Sequence, residues 1–289
     1  MNREVASINL QNAGSEIIDT KAQTEVAGSN IIEVENLCMY FGGIKAVDGL
    51  SFEVRRGEIF GLIGPNGAGK TTVFNCITQF YRPTSGRVLY RSTPEAEAVD
   101  LSTVKIHDVS TLGIVRTFQN VEVVPELSVL DNLRIAAYRS YTSSILTQML
   151  HLPKLRREED KVTAKAMEVL EFLGLTLYKD FYAHGLPYGI LKKVEIARTL
   201  MSDPKLIILD EPAAGLNDTE TEELIGIIGQ IQEKYGCTIL LVEHDMGLVM
   251  KVCNRILAIS FGKHLALGTP EEIQASPEVQ RAYLGEEED

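Results

Sequence analysis

The strongest chemical pattern in the chain is a glycine-rich loop between an apolar run and a predicted helix. Residues 64–71 read G-P-N-G-A-G-K-T and directly follow the apolar run 59–63. Glycines let the backbone turn with positive φ and approach an anion closely, so that consecutive N–H groups and a helix N-terminus surround a phosphate. In this P-loop pattern the lysine neutralises β- and γ-phosphates, and the following hydroxyl reaches Mg²⁺. The predicted nucleotide-binding residues here are Gly64, Pro65, Asn66, Gly67, Ala68, Gly69, Lys70, Thr71 and Thr72.

A second motif places two adjacent carboxylates at the end of a predicted buried strand. Residues 206–212 read L-I-I-L-D-E-P. Because side chains alternate along a strand, we expect Asp210 and Glu211 to have different roles. Asp210 is expected to bind Mg²⁺, directly or through water, and Glu211 to face the γ-phosphate and orient the attacking water. A structural glycine turn and a strand ending in a polar turn are the alternatives, but the two motifs together favour nucleotide hydrolysis.

Composition and charge restrict the class of protein. The chain has 289 residues, of which 45% are hydrophobic and 24% charged, which is typical of a globular protein with a full core. Its net charge of −12 argues against a broad nucleic-acid-binding face. No stretch reaches the roughly 20 apolar residues of a membrane helix, and the first residues lack a signal-peptide pattern. We therefore expect an intracellular protein whose reduced core thiols are Cys38, Cys76, Cys237 and Cys253.

The order of apolar and charged segments predicts an α/β chain with a helical insert. Residues 1–30 lack a sustained period and are interpreted as a flexible N-terminal extension. Short apolar runs from residue 31 onward indicate strands. From about 125 to 188, charged amphipathic stretches replace them and predict a helical subdomain. Beyond it, strands and helices alternate, which favours a mainly parallel sheet covered on both faces.

With these motifs, the sequence resembles the nucleotide-binding subunits of ABC transporters over residues 31–285. The resemblance implies an α/β fold of the P-loop NTPase (RecA-like) class. Its mainly parallel sheet is expected to carry an N-terminal antiparallel β region and the helical subdomain, with an acidic tail at 286–289. It also implies a Mg²⁺-dependent ATPase that binds ATP between two such domains and releases the dimer after hydrolysis.

Further site residues follow from the same resemblance. Gln119 in R-T-F-Q-N matches the family's glutamine that reaches the metal and water, and His244 in V-E-H-D matches its switch histidine. Phe41 in Y-F-G-G matches the aromatic residue that stacks on adenine, with Tyr40 as the alternative and a packing role for Phe41 as the other interpretation. The implied catalytic residues are thus Glu211, His244 and Gln119, and the implied metal ligands are Thr71, Gln119 and Asp210.

The largest departure from the family pattern lies in its five-residue signature. That signature aligns with L-P-Y-G-I at residues 186–190, where Pro187 and Ile190 replace the usual serine and glutamine. Neither a hydroxyl nor an amide is available there, so Gly189 and the following helix N-terminus remain to face a γ-phosphate across the dimer. Two alternatives stay open: a weakened site in a homodimer, or a heterodimer whose second subunit has an intact signature. In the neighbouring A-G-L-N-D loop, Asn217 stands where an aspartate is common.

Strings outside the shared motifs suggest a branch of the family. In combination, F-G-G-I-K-A-V-D-G-L, G-I-V-R-T-F-Q-N, E-P-A-A-G-L-N and E-V-Q-R-A-Y-L-G-E look most like the ATP-binding subunits of branched-chain amino acid importers. That resemblance implies two membrane permeases, a second ATP-binding subunit and, indirectly, a substrate-binding protein as partners, with no nucleic acid. We expect a peripheral location on the cytoplasmic face of the inner or plasma membrane, and a cytoplasmic one when unassembled.

Other functions remain as alternatives at this stage. Urea or amide uptake and lipopolysaccharide export belong to related subunits. A soluble ABC ATPase of DNA repair or translation usually has a long coiled-coil insert or two nucleotide domains, whereas this chain has one P-loop. A purely regulatory ATP-binding protein is opposed by Lys70, Asp210, Glu211 and His244 but favoured by the altered residues 187 and 190.

Overall fold

An antiparallel sheet forms one side of the molecule. The computed structural model describes residues 30–117, 121–138 and 153–284. Strands β1 and β2 each have 12 residues, and their pairing contains register shifts. The strands of this sheet are β1 (Asn30–Phe41), β2 (Ile44–Arg55), β4 (Ser85–Tyr90) and β5 (Val99–Asp100). They lie in the order β2-β1-β4-β5, with antiparallel pairings between neighbours.

A second sheet carries the chemistry-bearing motifs. Its strands are β3 (Ile59–Ile63), β6 (Ile114–Arg116), β7 (Leu206–Asp210), β8 (Thr238–Val242), β9 (Arg255–Ser260) and β10 (Lys263–Gly268). They lie in the order β10-β9-β3-β8-β7-β6. All neighbours are parallel except β9 and β10, which form a hairpin. Because the carboxyl ends of parallel strands meet at one edge, the residues after β3, β7 and β8 are brought together.

Nine α-helices are described, and their ends follow local sequence rules. They are α1 (Lys70–Ile77), α2 (Ile106–Val109), α3 (Val129–Ala136), α4 (Pro153–Phe172), α5 (Tyr188–Leu200), α6 (Asp218–Tyr235), α7 (Met246–Val252), α8 (Pro270–Ala275) and α9 (Pro277–Leu284). Helix α1 ends at Ile77, and Gln79 just beyond it adopts a φ of 61°. Helix α6 begins at a capping box between Asn217 and Glu220 and ends at Gly236 in the left-handed conformation.

The parallel sheet separates two apolar cores. In β8, Ile239 and Leu241 face one core, while Leu240 and Val242 face the other, as strand alternation requires. The first core includes residues of α3 to α9, and the second lies between the two sheets and includes α1. The sheet is thus covered on both faces, and the prediction of a mainly parallel sheet with an N-terminal antiparallel region is confirmed.

The predicted subdivisions map onto this fold as follows. The described residues between 125 and 188 contain α3, α4 and two short 3₁₀ helices, with a single bridge between Ser128 and Tyr182 as their β pairing. Their assignment to a separate subdomain stays a prediction. Residues 1–29 and the acidic tail at 286–289 lie outside the described residues, and Asn30 already belongs to β1. Within the described helices, none combines the length and apolar character needed to cross a bilayer.

Candidate nucleotide site

The glycine-rich loop joins β3 to α1 as its sequence predicts. Strand β3 is buried along its whole length, whereas Asn66 and Gly67 at the tip of the loop are exposed. At Gly69 φ is 101°, and a Cβ there would lie 2.3 Å from the carbonyl oxygen of Ala46. Gly64 is equally restricted, since a Cβ would lie 2.3 Å from the carbonyl oxygen of Ile259. Only glycine fits both positions, and the loop is therefore fixed by the strands around it.

Lys70 occupies the inside of this loop. Its Nζ donates hydrogen bonds to the carbonyl oxygens of Gly64 at 2.7 Å and Pro65 at 3.1 Å. Burial lowers the pKa of Lys70, and the negative charges of Glu211 and Asp210 oppose that shift. Both carboxylates lie at the end of β7, which is separated from β3 by β8 in the sheet, so the second motif lies at the same edge as the P-loop. Among the other loop residues, Thr71 is exposed and Thr72 half-buried.

Asp210 is held by a buried arginine that the sequence analysis did not assign. Its Oδ2 accepts a hydrogen bond from Nη2 of Arg116 at 2.6 Å, and both side chains are less than a tenth exposed. The same guanidinium donates from Nη1 to Oδ1 of Asn75 at 2.7 Å and to Oγ1 of Thr78 at 3.3 Å. Arg116 thus connects β6, the P-loop helix and β7. The string G-I-V-R-T-F-Q-N contained this residue, but only the fold brings it to Asp210.

The donor set near the P-loop fits Mg²⁺ bound together with a nucleotide. Among the described residues, no three His, Cys, Asp or Glu side chains group closely enough to hold a metal by themselves. Asp210 supplies one carboxylate, and Thr71 supplies a hydroxyl at the start of α1. Mg²⁺ typically takes one or two protein oxygens and completes its shell with water and substrate phosphates. Gln119, the third predicted ligand, lies outside the described residues.

Glu211 and His244 form a direct pair. Nε2 of His244 lies 2.8 Å from Oε1 of Glu211. Glu211 has a φ of 47°, so it leaves the extended conformation at the end of β7. Strand alternation predicts that the side chains of Asp210 and Glu211 point in different directions. They do, and the left-handed backbone of Glu211 accompanies this change of direction. Asp210 contacts Arg116 and Glu211 contacts His244, which gives the two acids separate partners.

Glu243 is a second residue that the sequence analysis left without a role. It is 3% exposed, and its carboxylate accepts hydrogen bonds from the backbone N–H groups of Ala213, His244 and Asp245. Burial raises the pKa of Glu243, while these three hydrogen bonds act in the opposite direction. The V-E-H-D string held a signal for this residue, because a glutamate directly after a fully buried strand must find polar partners.

The predicted adenine-stacking residue lies at the end of β1. Phe41 is 41% exposed and contacts Tyr81 edge-on, with 5.2 Å between the ring centroids. Tyr40, the alternative, donates from its hydroxyl to Oδ1 of Asp48 at 2.7 Å, and the ammonium group of Lys45 lies 5.3 Å from its ring centroid. The ring of Phe41 is therefore more exposed than that of Tyr40, and it has no hydroxyl held by a hydrogen bond. Both properties favour Phe41 over Tyr40 for stacking on a base.

The altered signature lies against the loop that follows Glu211. Pro187 is the N-cap residue of α5 and offers no side-chain cap. Gly189 is buried, and a Cβ there would lie 2.3 Å from Oε1 of Glu220. A Cβ at Gly215 would lie 3.0 Å from the ring of Tyr188, so the two segments pack closely. Asn217, the other departure from the family pattern, accepts the N–H of Glu220 and caps α6.

Two protein families match parts of this chain. Residues 47–214 match the family described as "ABC transporter". Residues 263–289 match a second family, described as "Branched-chain amino acid ATP-binding cassette transporter". The first match spans the P-loop, the signature and both carboxylates, and the second begins at β10.

Similar proteins and structures cover nearly the whole described chain. The "High-affinity branched-chain amino acid transport ATP-binding protein LivG" of Salmonella typhimurium is 43% identical over 256 residues, covering 89% of this chain and 98% of that protein. The corresponding protein BraF of Pseudomonas aeruginosa is 41% identical with the same coverage. The ADP conformation of MJ1267, an ATP-binding cassette of an ABC transporter, has a TM-score of 0.75 at 34% identity, covering 89% of this chain and 100% of that one.

Proposed function

We propose, from the premise that this chain belongs to the ABC transporter family of ATP-binding cassettes, that it drives an importer of branched-chain amino acids by hydrolysing ATP. Membership of the family implies ATP binding and hydrolysis by this chain. The choice of substrate class is supported by the match of residues 263–289 and by the 41–43% identity with LivG and BraF. Uptake of urea or amides and export of lipopolysaccharide are the competing assignments.

The observation that carries the proposal is the meeting of three motifs at one edge of the parallel sheet. Lys70 lies inside the P-loop after β3, Glu211 follows β7, and His244 follows β8. Glu211 contacts His244 directly and influences the pKa of Lys70 through its charge. We infer that a phosphate held by the loop would lie beside this carboxylate and imidazole, the groups needed to activate water.

Hydrolysis at this site needs no covalent enzyme intermediate. The water oxygen attacks the γ-phosphorus in line, the bond from that phosphorus to the β–γ bridging oxygen breaks, and ADP leaves with inorganic phosphate. Glu211 orients the water and accepts its proton, and His244 holds Glu211 and faces the γ-phosphate. The P-loop amides and Lys70 stabilise charge on the phosphate oxygens. When bound, Mg²⁺ neutralises the phosphates, and Thr71, Asp210 and Gln119 would hold it.

The composite site requires a second ATP-binding subunit. Gly189 and the N-terminus of α5 would face the γ-phosphate bound to the opposite subunit, so ATP joins the two subunits and its hydrolysis separates them. Because Pro187 supplies neither a hydroxyl nor an N–H group, this contact is weaker than in the family pattern. A heterodimer with a subunit that has an intact signature is the preferred assembly, and a homodimer with weak sites is the alternative.

The remaining partners are two membrane permeases and, on the far side of the membrane, a substrate-binding protein. This assembly would hold the chain peripherally at the cytoplasmic face of the membrane. The deciding experiment reconstitutes the chain with candidate permeases in vesicles and measures uptake of leucine, isoleucine and valine with ATP enclosed. We expect uptake with the native chain and none with Lys70→Ala. Uptake of urea in its place would support the competing assignment, and the absence of ATP hydrolysis would contradict the proposal itself.

The signature is tested separately by restoring the family residues. Pro187→Ser and Ile190→Gln should strengthen the contact with the opposite γ-phosphate, because a charge-assisted hydrogen bond contributes about 1.5 to 3 kcal/mol. Turnover of the isolated chain and ATP-driven dimerisation should both rise. If neither changes, this contact does not limit the homodimer. Mixing the chain with a purified second subunit should then raise turnover beyond the sum of the two, if the heterodimer is the working unit.

A further inference from the structure

A buried carboxylate joins the two loops that carry Glu211 and His244. Glu243 directly follows β8, and only 3% of it is exposed. Its Oε1 accepts the N–H of Ala213 at 2.7 Å, and its Oε2 accepts the N–H of His244 at 2.9 Å. The N–H of Asp245 lies 3.4 Å from the same Oε2. The two oxygens of one side chain thus hold two different loops.

The turn after β7 is hydrogen-bonded to the end of β8 and to the residue that follows it, once before and once after Pro212. The N–H of Glu211 donates to the carbonyl oxygen of Val242 at 2.9 Å, and the N–H of Ala213 donates to Glu243. Between these anchors Glu211 has a φ of 47°. Such a conformation costs about 1–3 kcal/mol and persists only where the surroundings enforce it. The carboxylate of Glu243 provides one of the two anchors.

The surroundings of Glu243 differ from those of a carboxylate in a structural ion pair. Within the described part of the chain, the hydrogen bonds to its oxygens come from main-chain N–H groups, and no cation lies in salt-bridge distance. The charge that acts on it is that of Glu211, which is unfavourable. A buried carboxylate without a countercation destabilises the fold, and this argues that it is retained for the geometry it imposes.

We propose that Glu243 is a positioning residue for hydrolysis, whose carboxylate fixes the contact between Nε2 of His244 and Oε1 of Glu211. The inference rests on the proposed function, because it assigns those two residues to the activation of water. Glu243 itself does not contact the nucleotide. Losing its two-sided attachment lets the loops after β7 and β8 separate, while the P-loop stays intact. The expected consequence is a fall in kcat with little change in KM.

The test compares Glu243→Gln with a matched control, Glu58→Gln. The glutamine at 243 keeps the shape but places an NH₂ group against backbone N–H donors, so one of the two loops is released. Glu58 is also a buried glutamate that accepts a backbone N–H, from Arg55 at 2.6 Å, but it lies at the opposite end of the strands. We expect kcat of Glu243→Gln to fall at least about tenfold with KM within about twofold, and kcat of Glu58→Gln to change less than about twofold.

A double-mutant cycle with His244→Ala distinguishes positioning from a general loss of stability. If Glu243 acts through the pair, Glu243→Gln should lower kcat much less in the His244→Ala background than in the native chain. Glu243→Asp gives a second variant, since it keeps the charge but is one methylene too short to reach both loops. It should also lower kcat. Melting temperatures and ATP binding of all variants are measured alongside.

The outcomes separate this inference from the proposed function. A native kcat in folded Glu243→Gln and Glu243→Asp would overturn the positioning role, as would equal, fully additive losses in the cycle. An equal fall of kcat in Glu58→Gln would overturn it as well, because the effect would then follow from lost stability. Failure of the native chain to hydrolyse ATP would overturn the proposed function instead.

Discussion

The two ends of the parallel strands are built on opposite principles. At the amino ends, Glu58 pairs with Arg255 at 3.3 Å, Thr238 accepts the N–H of Gly57, and Asn254 accepts the N–H of Ile59. At the carboxyl ends, the donors to Glu243 among the described residues are backbone N–H groups, and Glu211 adopts a left-handed conformation. Glu58 at the amino ends thus has a countercation, whereas Glu243 at the carboxyl ends has none among the described residues.

This difference indicates that groups which lower the stability of the fold lie near the proposed site of hydrolysis. Strain and uncompensated charge are tolerated where surrounding structure holds them in place, and they concentrate at functional sites. The pair of Arg116 and Asp210 is the exception at the carboxyl ends, because it is buried and charge-compensated. Mutations at the carboxyl ends should mainly change hydrolysis, and those at the amino ends should mainly change stability.

The largest effect is expected from Glu211→Gln. Removing the proton acceptor should lower kcat by about 10²- to 10⁴-fold, whereas the fold should remain stable because the backbone anchors of this residue are unchanged. Phosphate release measures the loss. Size-exclusion chromatography with ATP should show a trapped dimer, either of the variant with the second ATP-binding subunit or of the variant alone. A variant that stays monomeric with ATP in both experiments would contradict the composite site.

Arg116→Met and Arg255→Met compare the buried ion pairs of the two ends. Each substitution leaves a buried carboxylate without its guanidinium, which should reduce the free energy of unfolding by about 3–5 kcal/mol. Urea denaturation measures this loss in both variants. Only Arg116→Met should also weaken nucleotide-dependent Mn²⁺ binding, followed by electron paramagnetic resonance, because Asp210 loses its fixed orientation. Equal Mn²⁺ binding in the two variants would contradict a metal-related role for the ion pair at the carboxyl ends.

Measuring the free energy of unfolding at several pH values should reveal the raised pKa of Glu58, the buried glutamate at the amino ends. Burial raises the pKa of Glu58 above its ordinary value of 4.5, so the folded chain keeps this proton at a pH where the unfolded chain has released it. The resulting stability is complete below pH 4.5 and is lost as the pH rises through the raised pKa. Glu58→Gln removes this dependence, so its unfolding free energy relative to the native chain should increase with pH across that window. Urea midpoints at several pH values measure it, and parallel curves would contradict the assignment.

The smallest effect concerns the thiols. Burial raises the pKa of Cys237, just before β8, to about 11 and that of Cys253, just before β9, to about 12. Cys38 is only half-buried, and a hydrogen bond from Ser85 lowers its pKa. Iodoacetamide at pH 8 should therefore label Cys38 at least about tenfold faster than the other two, as measured by mass spectrometry. Comparable labelling rates for the three thiols would show that the amino ends of β8 and β9 open readily to solvent.

The sequence was sufficient for features that depend on neighbours in the chain. Gly64 to Lys70 lie between a strand and a helix as predicted, and Asp210 and Glu211 end a buried strand. The interpretation of all four cysteines as core thiols is wrong for Cys38, because it lies in β1 with part of its surface exposed. Position within an apolar run does not determine which face of a strand meets solvent.

Features that depend on distant segments could not be predicted from local pattern. Arg116 meets Asp210 across 94 positions, and Glu243 meets Ala213 across 30. Both contacts require the order of β6, β7 and β8 in the sheet, which the alternation of strands and helices does not specify. The roles of Phe41, Gly189 and His244 toward a nucleotide stay predictions, and Gln119 lies outside the described residues.

The packing of Tyr188 on Gly215 links helix α5 mechanically to the loop that follows Glu211. The ring at the start of α5 rests on the backbone of the loop that follows Glu211, where a β-carbon would already be too close. Any movement of α5 would therefore displace that loop within the same chain. If the proposed composite site forms, this ring would connect the phosphate-facing end of α5 with the loop after Glu211 in the same subunit.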